Sequence, residues 1–162
     1  MSSNTEAQDT AGLPFPPPIA FIAALAVGFA LHYVIPLHIV RTSAAINVLQ
    51  VTGGVLAFAA LVLALCAFVC FHLARTSPFP ERPTTSLVLR GPFRFTRNPL
   101  YLAMALLHAG IAIFSNALWP LFFLLPAVLA VRFLVIAREE RYLLQRFGAQ
   151  YEAYCRSVRR WF

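Results

Sequence analysis

Between Val48 and Leu73 the chain carries no Asp, Glu, Lys or Arg. A run of that length exceeds the roughly 20 residues that an α-helix needs to cross hydrocarbon. Inside a bilayer each backbone N–H and C=O must find its partner within the protein, so such a run is helical. Residues 19–37 form a second run of spanning length, closed by Pro36 and His38. Residues 100–114 form a third, short for a span, and residues 120–137 a fourth. The expected fold is all-α and integral to a membrane: about four transmembrane helices plus a C-terminal amphipathic helix. The composition agrees, with 60% hydrophobic and 12% charged residues and a mean hydropathy of +0.73. Few soluble domains are so apolar. The length of 162 residues allows one compact unit, so residues 19–162 are read as a single membrane domain.

Ahead of the first span, residues 1–13 read as a disordered tail and PFPPP at 14–18 as a stiff lead-in. No basic n-region precedes an apolar stretch there, so no cleavable signal peptide is expected.

The basic residues orient the spans. All 13 are arginines. Arg75, Arg82, Arg90, Arg94 and Arg97 lie in the 74–98 loop, and Arg138, Arg141, Arg146, Arg156, Arg159 and Arg160 in the tail. The 38–47 loop has only Arg41, and the 115–117 turn has none. Cytoplasmic loops collect Arg and Lys, so the arginine-rich loop and both termini are expected in the cytoplasm. The expected location is a bacterial inner membrane, with the lipid bilayer as the first partner. A net charge of +7 can signal nucleic acid, but these arginines flank apolar segments instead of forming a solvated basic face, so no nucleic-acid partner is expected. The three cysteines show no metal-ligand spacing, and no metal is expected. Cys66 and Cys70 read as small apolar residues.

The stretch RGPFRFTRNPLY, residues 90–101, sets Arg90, Arg94, Arg97, Asn98 and Tyr101 between apolar segments. Its prolines, with those upstream in the loop, exclude a continuous helix. Pro99 holds Asn98 out of helical geometry. Spans three and four form a hairpin tipped at residues 115–117, where Ser115 or Asn116 can cap and Pro120 suits a first helical turn. Counted back from that tip, Asn98 is level with Arg132–Ile136, and Glu139 and Glu140 follow just below. Arg132 lies in an apolar run, where a charge either has a partner in a polar cavity or snorkels to the interface. In the tail, Leu143, Phe147, Tyr151, Tyr154, Val158 and Trp161 recur on one helical face. Gly148 is positioned to break that helix. The tail is either an interfacial amphipathic helix or a lid over a ligand, with Tyr142, Tyr151 and Tyr154 supplying rings and hydroxyls.

RGPFRFTRNPLY followed by REERYLLQRFGAQYEAYCRSVRRWF resembles the isoprenylcysteine carboxyl methyltransferase family and its phospholipid methyltransferase relatives. Gly91, Pro92, Arg94, Arg97, Pro99, Tyr101, Glu139, Glu140, Phe147, Gly148, Tyr151 and Tyr154 follow the family pattern in order. Asn98 stands where the family has His, and Phe93 and Phe95 stand where it has Tyr. The resemblance covers about residues 87–161. It implies S-adenosylmethionine as methyl donor, bound at the cytoplasmic side of the last hairpin, and a lipidic or small membrane-partitioned acceptor: a carboxylate, a thiol or an amine. On that resemblance Arg97 and Glu140 are catalytic candidates, and Arg132 joins them as a charge within an apolar run. The cofactor-binding candidates are Gly91, Pro92, Arg94, Asn98, Pro99, Leu100, Tyr101, Glu139, Glu140, Tyr151 and Tyr154.

The residue chemistry suits that cofactor. An arginine can pair a carboxylate through two parallel bonds. Glu139 and Glu140 can accept from an ammonium or a ribose, or else bond their neighbours Arg138 and Arg141. Aromatic faces suit adenine and a sulfonium cation. Asn98 can hydrogen-bond but cannot serve as a titrating base. A haem-bearing electron-transfer bundle is a rival reading, prompted by His32, His38, His72 and His108. Bis-histidine ligation needs two of them at one depth, and His32 and His108 are mismatched along their helices. A membrane reductase related to sterol reductases is a further alternative, though those chains are much longer. Nothing in the sequence selects the acceptor or the oligomeric state.

Overall fold

The computed structural model describes residues 12–78 and 84–161. The N-terminal segment expected to be disordered and Arg82 of the arginine-rich loop fall largely or wholly outside them. The described residues are helical, without a strand: α1 Pro17–Val34, α2 Ser43–Leu73, a short 3-10 turn Gly91–Arg94, α3 Pro99–Phe114 and α4 Leu118–Ala130. The helix then runs through a π-helical stretch, Val131–Ile136, into α5 Ala137–Phe147, and α6 Ala149–Ser157 follows. The chain is thus an all-α membrane-type protein. Three helices, Pro17–Val34, Ser43–Leu73 and Leu118–Phe147, are long and apolar enough to cross a bilayer, and Pro99–Phe114 is a shorter apolar one.

The ends have local causes. Helix α1 stops at Val34 because Pro36 forces its predecessor Ile35 out of the helical region, to φ −129° and ψ 85°. Helix α2 begins at Ser43, several residues before the apolar run, since Ala44 and Ala45 favour the helix even outside hydrocarbon. The fourth segment does not stop at Ala137. It continues through REERYLLQRF to Phe147, a charged sequence of good helix formers. Gly148, at φ +50° and ψ −126°, separates α5 from α6, a conformation that side chains disfavour.

Two compact units divide the chain: one draws on Leu63–Leu100 and Arg132–Phe162 with residues 12–15, the other on Pro16–Val62 and Tyr101–Val131. In the second unit, small residues let helices meet backbone to backbone. A Cβ on Gly28 would lie 2.5 Å from Pro120 Cα, and one on Gly53 would lie 2.6 Å from the Gly110 carbonyl oxygen. Such close crossings are how helices gain packing where lipid removes the hydrophobic drive. Helix α3 ends in a Schellman-type turn: Asn116 adopts φ +52°, Asn116 N–H donates to Ile113, and Ala117 N–H donates to Ala112. Asn116 does not cap α4, whose N-cap is Ala117 without a side-chain bond. Its amide instead clamps the loop after α1, accepting from the N–H groups of Ile39 and Val40 and donating to the Val40 carbonyl. Pro120 does sit in the first turn of α4.

The first unit holds its own apolar cluster of Ala67, Val88 and Phe93, with Cys70, Phe71, Ala74 and Leu100 packed against it. Its loop is organised by hydroxyls. Ser86 Oγ donates to the Ala74 carbonyl, Thr85 Oγ1 to the Arg75 carbonyl, and Thr84 N–H to Tyr142 Oη. These bonds lay residues 84–88 against the end of α2 and against α5.

Candidate functional site

The first unit gathers three separated pieces of chain: the 91–98 loop, the start of α5, and the tail from Tyr151 to Arg160. Gly91 opens the loop at φ +58°, where a Cβ would strike Cys70 Sγ at 2.6 Å, so both its conformation and its space call for glycine. Phe93 then turns inward and meets Phe71 edge to face, with ring centres 5.2 Å apart. The Pro92 carbonyl accepts from the N–H groups of Phe95 and Thr96, closing a tight turn. Arg94 and Phe95 face outward. Thr96, Asn98 and Pro99 are buried, and Pro99 starts α3.

At the centre stands Glu140. Its Oε1 lies 3.2 Å from Arg97 Nη1 and accepts from Arg160 Nε at 3.0 Å, while its Oε2 is bonded by Arg160 Nη2. Arg160 therefore grips both carboxylate oxygens with one edge of its guanidinium, through Nε and Nη2. Arg97 and Glu140 have side chains only 14% and 17% exposed. Two guanidinium groups share one carboxylate, so this cluster retains one positive charge. Arg97 Nη1 also donates to Cys155 Sγ, and Arg97 Nε is buried with no hydrogen-bond partner. An unpaired buried guanidinium N–H costs about 1–3 kcal/mol or more, and an acceptor on a bound ligand would remove that cost.

Tyr151 and Tyr154 border this cluster. Both are buried, with ring centres 6.1 Å apart. Burial pushes the Tyr151 hydroxyl far above the ordinary tyrosine range, and the negative charge of Glu140 adds to the shift. Burial likewise raises Tyr154, with the positive charge of Arg97 opposing it. Both are neutral hydrogen-bonding groups at any physiological pH. The Arg160 guanidinium is held charged more firmly than usual by its bonds to Glu140.

The expected site residues do not all gather in one place. Arg97, Asn98, Glu140, Tyr151 and Tyr154 lie in one network with the tail. Gly91, Pro92, Pro99 and Leu100 shape the loop that supports it. Arg94 and Arg132 are exposed, and Arg132 lies over the ring of its neighbour Phe133 at 5.5 Å. Glu139 is half-buried and makes an interaction of its own. Tyr101 is buried but belongs to the other unit. Sequence reasoning passed over Arg160, Thr96 and Cys155; in a single sequence Arg160 is one of six tail arginines, and nothing local separates it from the rest.

Three of the four histidines behind the haem reading have contacts within the fold. In the second unit His108 Nε2 meets the Pro120 carbonyl at 2.8 Å, and the His32 and His38 rings lie edge to face with centres 5.2 Å apart. Among the described residues no group of His, Cys, Asp and Glu is arranged to hold a metal ion.

A family model described as phospholipid methyltransferase matches residues 48–150, well over half of the chain. No curated protein matches it.

Proposed function

Because this chain belongs to the phospholipid methyltransferase family, we propose that it is an S-adenosylmethionine-dependent methyltransferase acting on a lipidic or small membrane-partitioned acceptor at the cytoplasmic face. The observation that carries the cofactor assignment is the Arg97 cluster: a surplus positive charge with one buried donor, Nε, left unpaired. A carboxylate meets both needs, and the amino-acid end of S-adenosylmethionine bears one. The donor set fits the rest of that molecule too, since buried tyrosine rings suit an adenine or a sulfonium.

When bound, S-adenosylmethionine supplies an electrophilic methyl group on sulfur. The protein's part is alignment and exclusion of water, the main source of acceleration for a displacement of this kind. Arg97 anchors the cofactor carboxylate. Glu140 aligns Arg97 through the bond between Nη1 and Oε1. Tyr151 and Tyr154 wall the site as neutral groups. Asn98 has no titrating proton near neutral pH, so a carboxylate or thiolate acceptor that is already ionised fits this site better than one needing a base at that position. The distribution of arginines supports an orientation with both termini cytoplasmic, and we place the protein in a bacterial inner membrane.

The test is incubation of the detergent-purified protein with methyl-labelled S-adenosylmethionine and a total lipid extract, followed by identification of the labelled product. Wild-type protein should label a lipid-soluble product. Glu140→Gln should abolish most of that label, and Arg97→Gln nearly all of it. Failure of wild type to bind S-adenosylhomocysteine by calorimetry would overturn the reading.

A further inference from the structure

The tail beyond α6 is stitched to the loop by bonds that single out one residue. Arg97 N–H donates to the Arg159 carbonyl at 3.0 Å. Thr96 Oγ1 and Asn98 Nδ2 both donate to the Arg160 carbonyl, each at 3.0 Å. Thr96 Oγ1 also accepts from Asn98 N–H at 3.2 Å, which fixes the two donors relative to each other. Two buried side chains on either side of Arg97 are thus spent on one carbonyl, that of the residue whose guanidinium grips Glu140.

From this geometry we propose that Arg160 is a positioning residue of the site: residues 158–161 form a strap, seated by Thr96 and Asn98, that clamps Glu140 so that Glu140 can hold Arg97 with its Nε turned to the cofactor carboxylate. The proposal rests on the methyltransferase reading. The three residues Thr96, Arg97 and Asn98 supply both sides of the clamp: Arg97 reaches Glu140 directly, and its two neighbours place Arg160 on the same carboxylate. The alternative, that Arg160 merely fills Glu140 until a ligand ammonium displaces it, fits the bonding less well. Releasing the strap would strand the Thr96 and Asn98 donors, each at a cost of about 1–3 kcal/mol. A Glu140 gripped on both oxygens by Arg160 is a brace, and its bonds are already committed.

The experiment is calorimetric affinity for S-adenosylhomocysteine, measured on the full chain in detergent beside its apparent melting temperature. Arg160→Gln should weaken binding about tenfold, the scale of one lost hydrogen bond to a charged group. Arg160→Lys, which keeps the charge and the backbone but loses the two-pronged grip, should fall between Arg160→Gln and wild type, and it decides the matter if Arg160→Gln does not fold. Because Arg160 acts through Glu140, the double variant Glu140→Gln/Arg160→Gln should bind no worse than Glu140→Gln alone. The exposed Arg156→Gln serves as a control for lost charge and should bind as wild type does.

Unchanged affinity in Arg160→Gln and Arg160→Lys, with only the melting temperature lowered, would overturn the proposal and leave a structural strap. Tighter binding in Arg160→Gln would overturn it in favour of a displaceable plug. Additive losses in the double variant would also overturn it. Wild-type protein that binds no S-adenosylhomocysteine would overturn the methyltransferase reading and this proposal together, an outcome distinct from the other three.

Discussion

The hydroxyl of Tyr154 donates to the carbonyl of Phe93 across 2.7 Å in a buried setting. One bond joins the middle of α6 to the turn that precedes Arg97, residues far apart in sequence. The ring behind the hydroxyl is itself 8% exposed, so water does not replace a lost donor. Tyr154→Phe should therefore lower stability by about 1–3 kcal/mol, the cost of an unsatisfied buried acceptor. A lower apparent melting temperature in detergent checks this. A Tyr154→Phe protein that melts with wild type would mean the bond is not part of the folded state.

Asn98 is tied to the strap by a donor, and its variants separate by what they can donate. Asn98→Asp puts an acceptor against the Arg160 carbonyl in place of the Nδ2 donor seen at 3.0 Å. It should weaken S-adenosylhomocysteine binding more than Asn98→Ala does. Asn98→His can still donate and should retain most of the affinity. An aspartate variant as good as wild type would remove the tether from the account.

Helix contact in the second unit can be tested at two neighbouring glycines. A Cβ on Gly53 would lie 2.5 Å from the Phe114 backbone nitrogen, whereas one on Gly54 meets nothing within 4 Å. Backbone cannot yield as a flexible side chain can, so Gly53→Ala should destabilise by roughly 1–3 kcal/mol. Gly54→Ala should be neutral or stabilising by up to about 1 kcal/mol, the helix preference of alanine over glycine. Thermal denaturation of the two variants in parallel decides; equal behaviour would contradict the close crossing.

Orientation is accessible to labelling. In a background without native cysteines, Ser115→Cys and Gln150→Cys, both at exposed positions, should react with an impermeant maleimide from opposite sides of the membrane. The arginine asymmetry puts residue 150 in the cytoplasm. Labelling of both from the same side would refute the assigned topology.

How much of this was legible in the sequence depends on the range over which each feature is set. The apolar runs determined the helices, because no other backbone arrangement satisfies its own polar groups in hydrocarbon. The breaks at Pro36 and Gly148 were equally local, each following from a φ that one residue type enforces or permits. The ordered motifs around Arg97, Glu140, Tyr151 and Tyr154 also marked the candidate site, as a resemblance. Three things were decided only by tertiary structure. Helix α4 continues through a π-helical stretch into the charged α5, where pattern reading placed an end at Ala137. Asn116 reaches back to Ile39 and Val40 instead of capping the helix beside it. Arg160 grips Glu140, while the equally charged Arg94 and Arg132 face outward. An arginine's reach allows many partners, and its own neighbours in sequence do not choose among them. The choice is made by where the backbone is held, here by the Thr96 and Asn98 side chains on the Arg160 carbonyl, and those bonds exist only once residues more than sixty positions apart have been folded together.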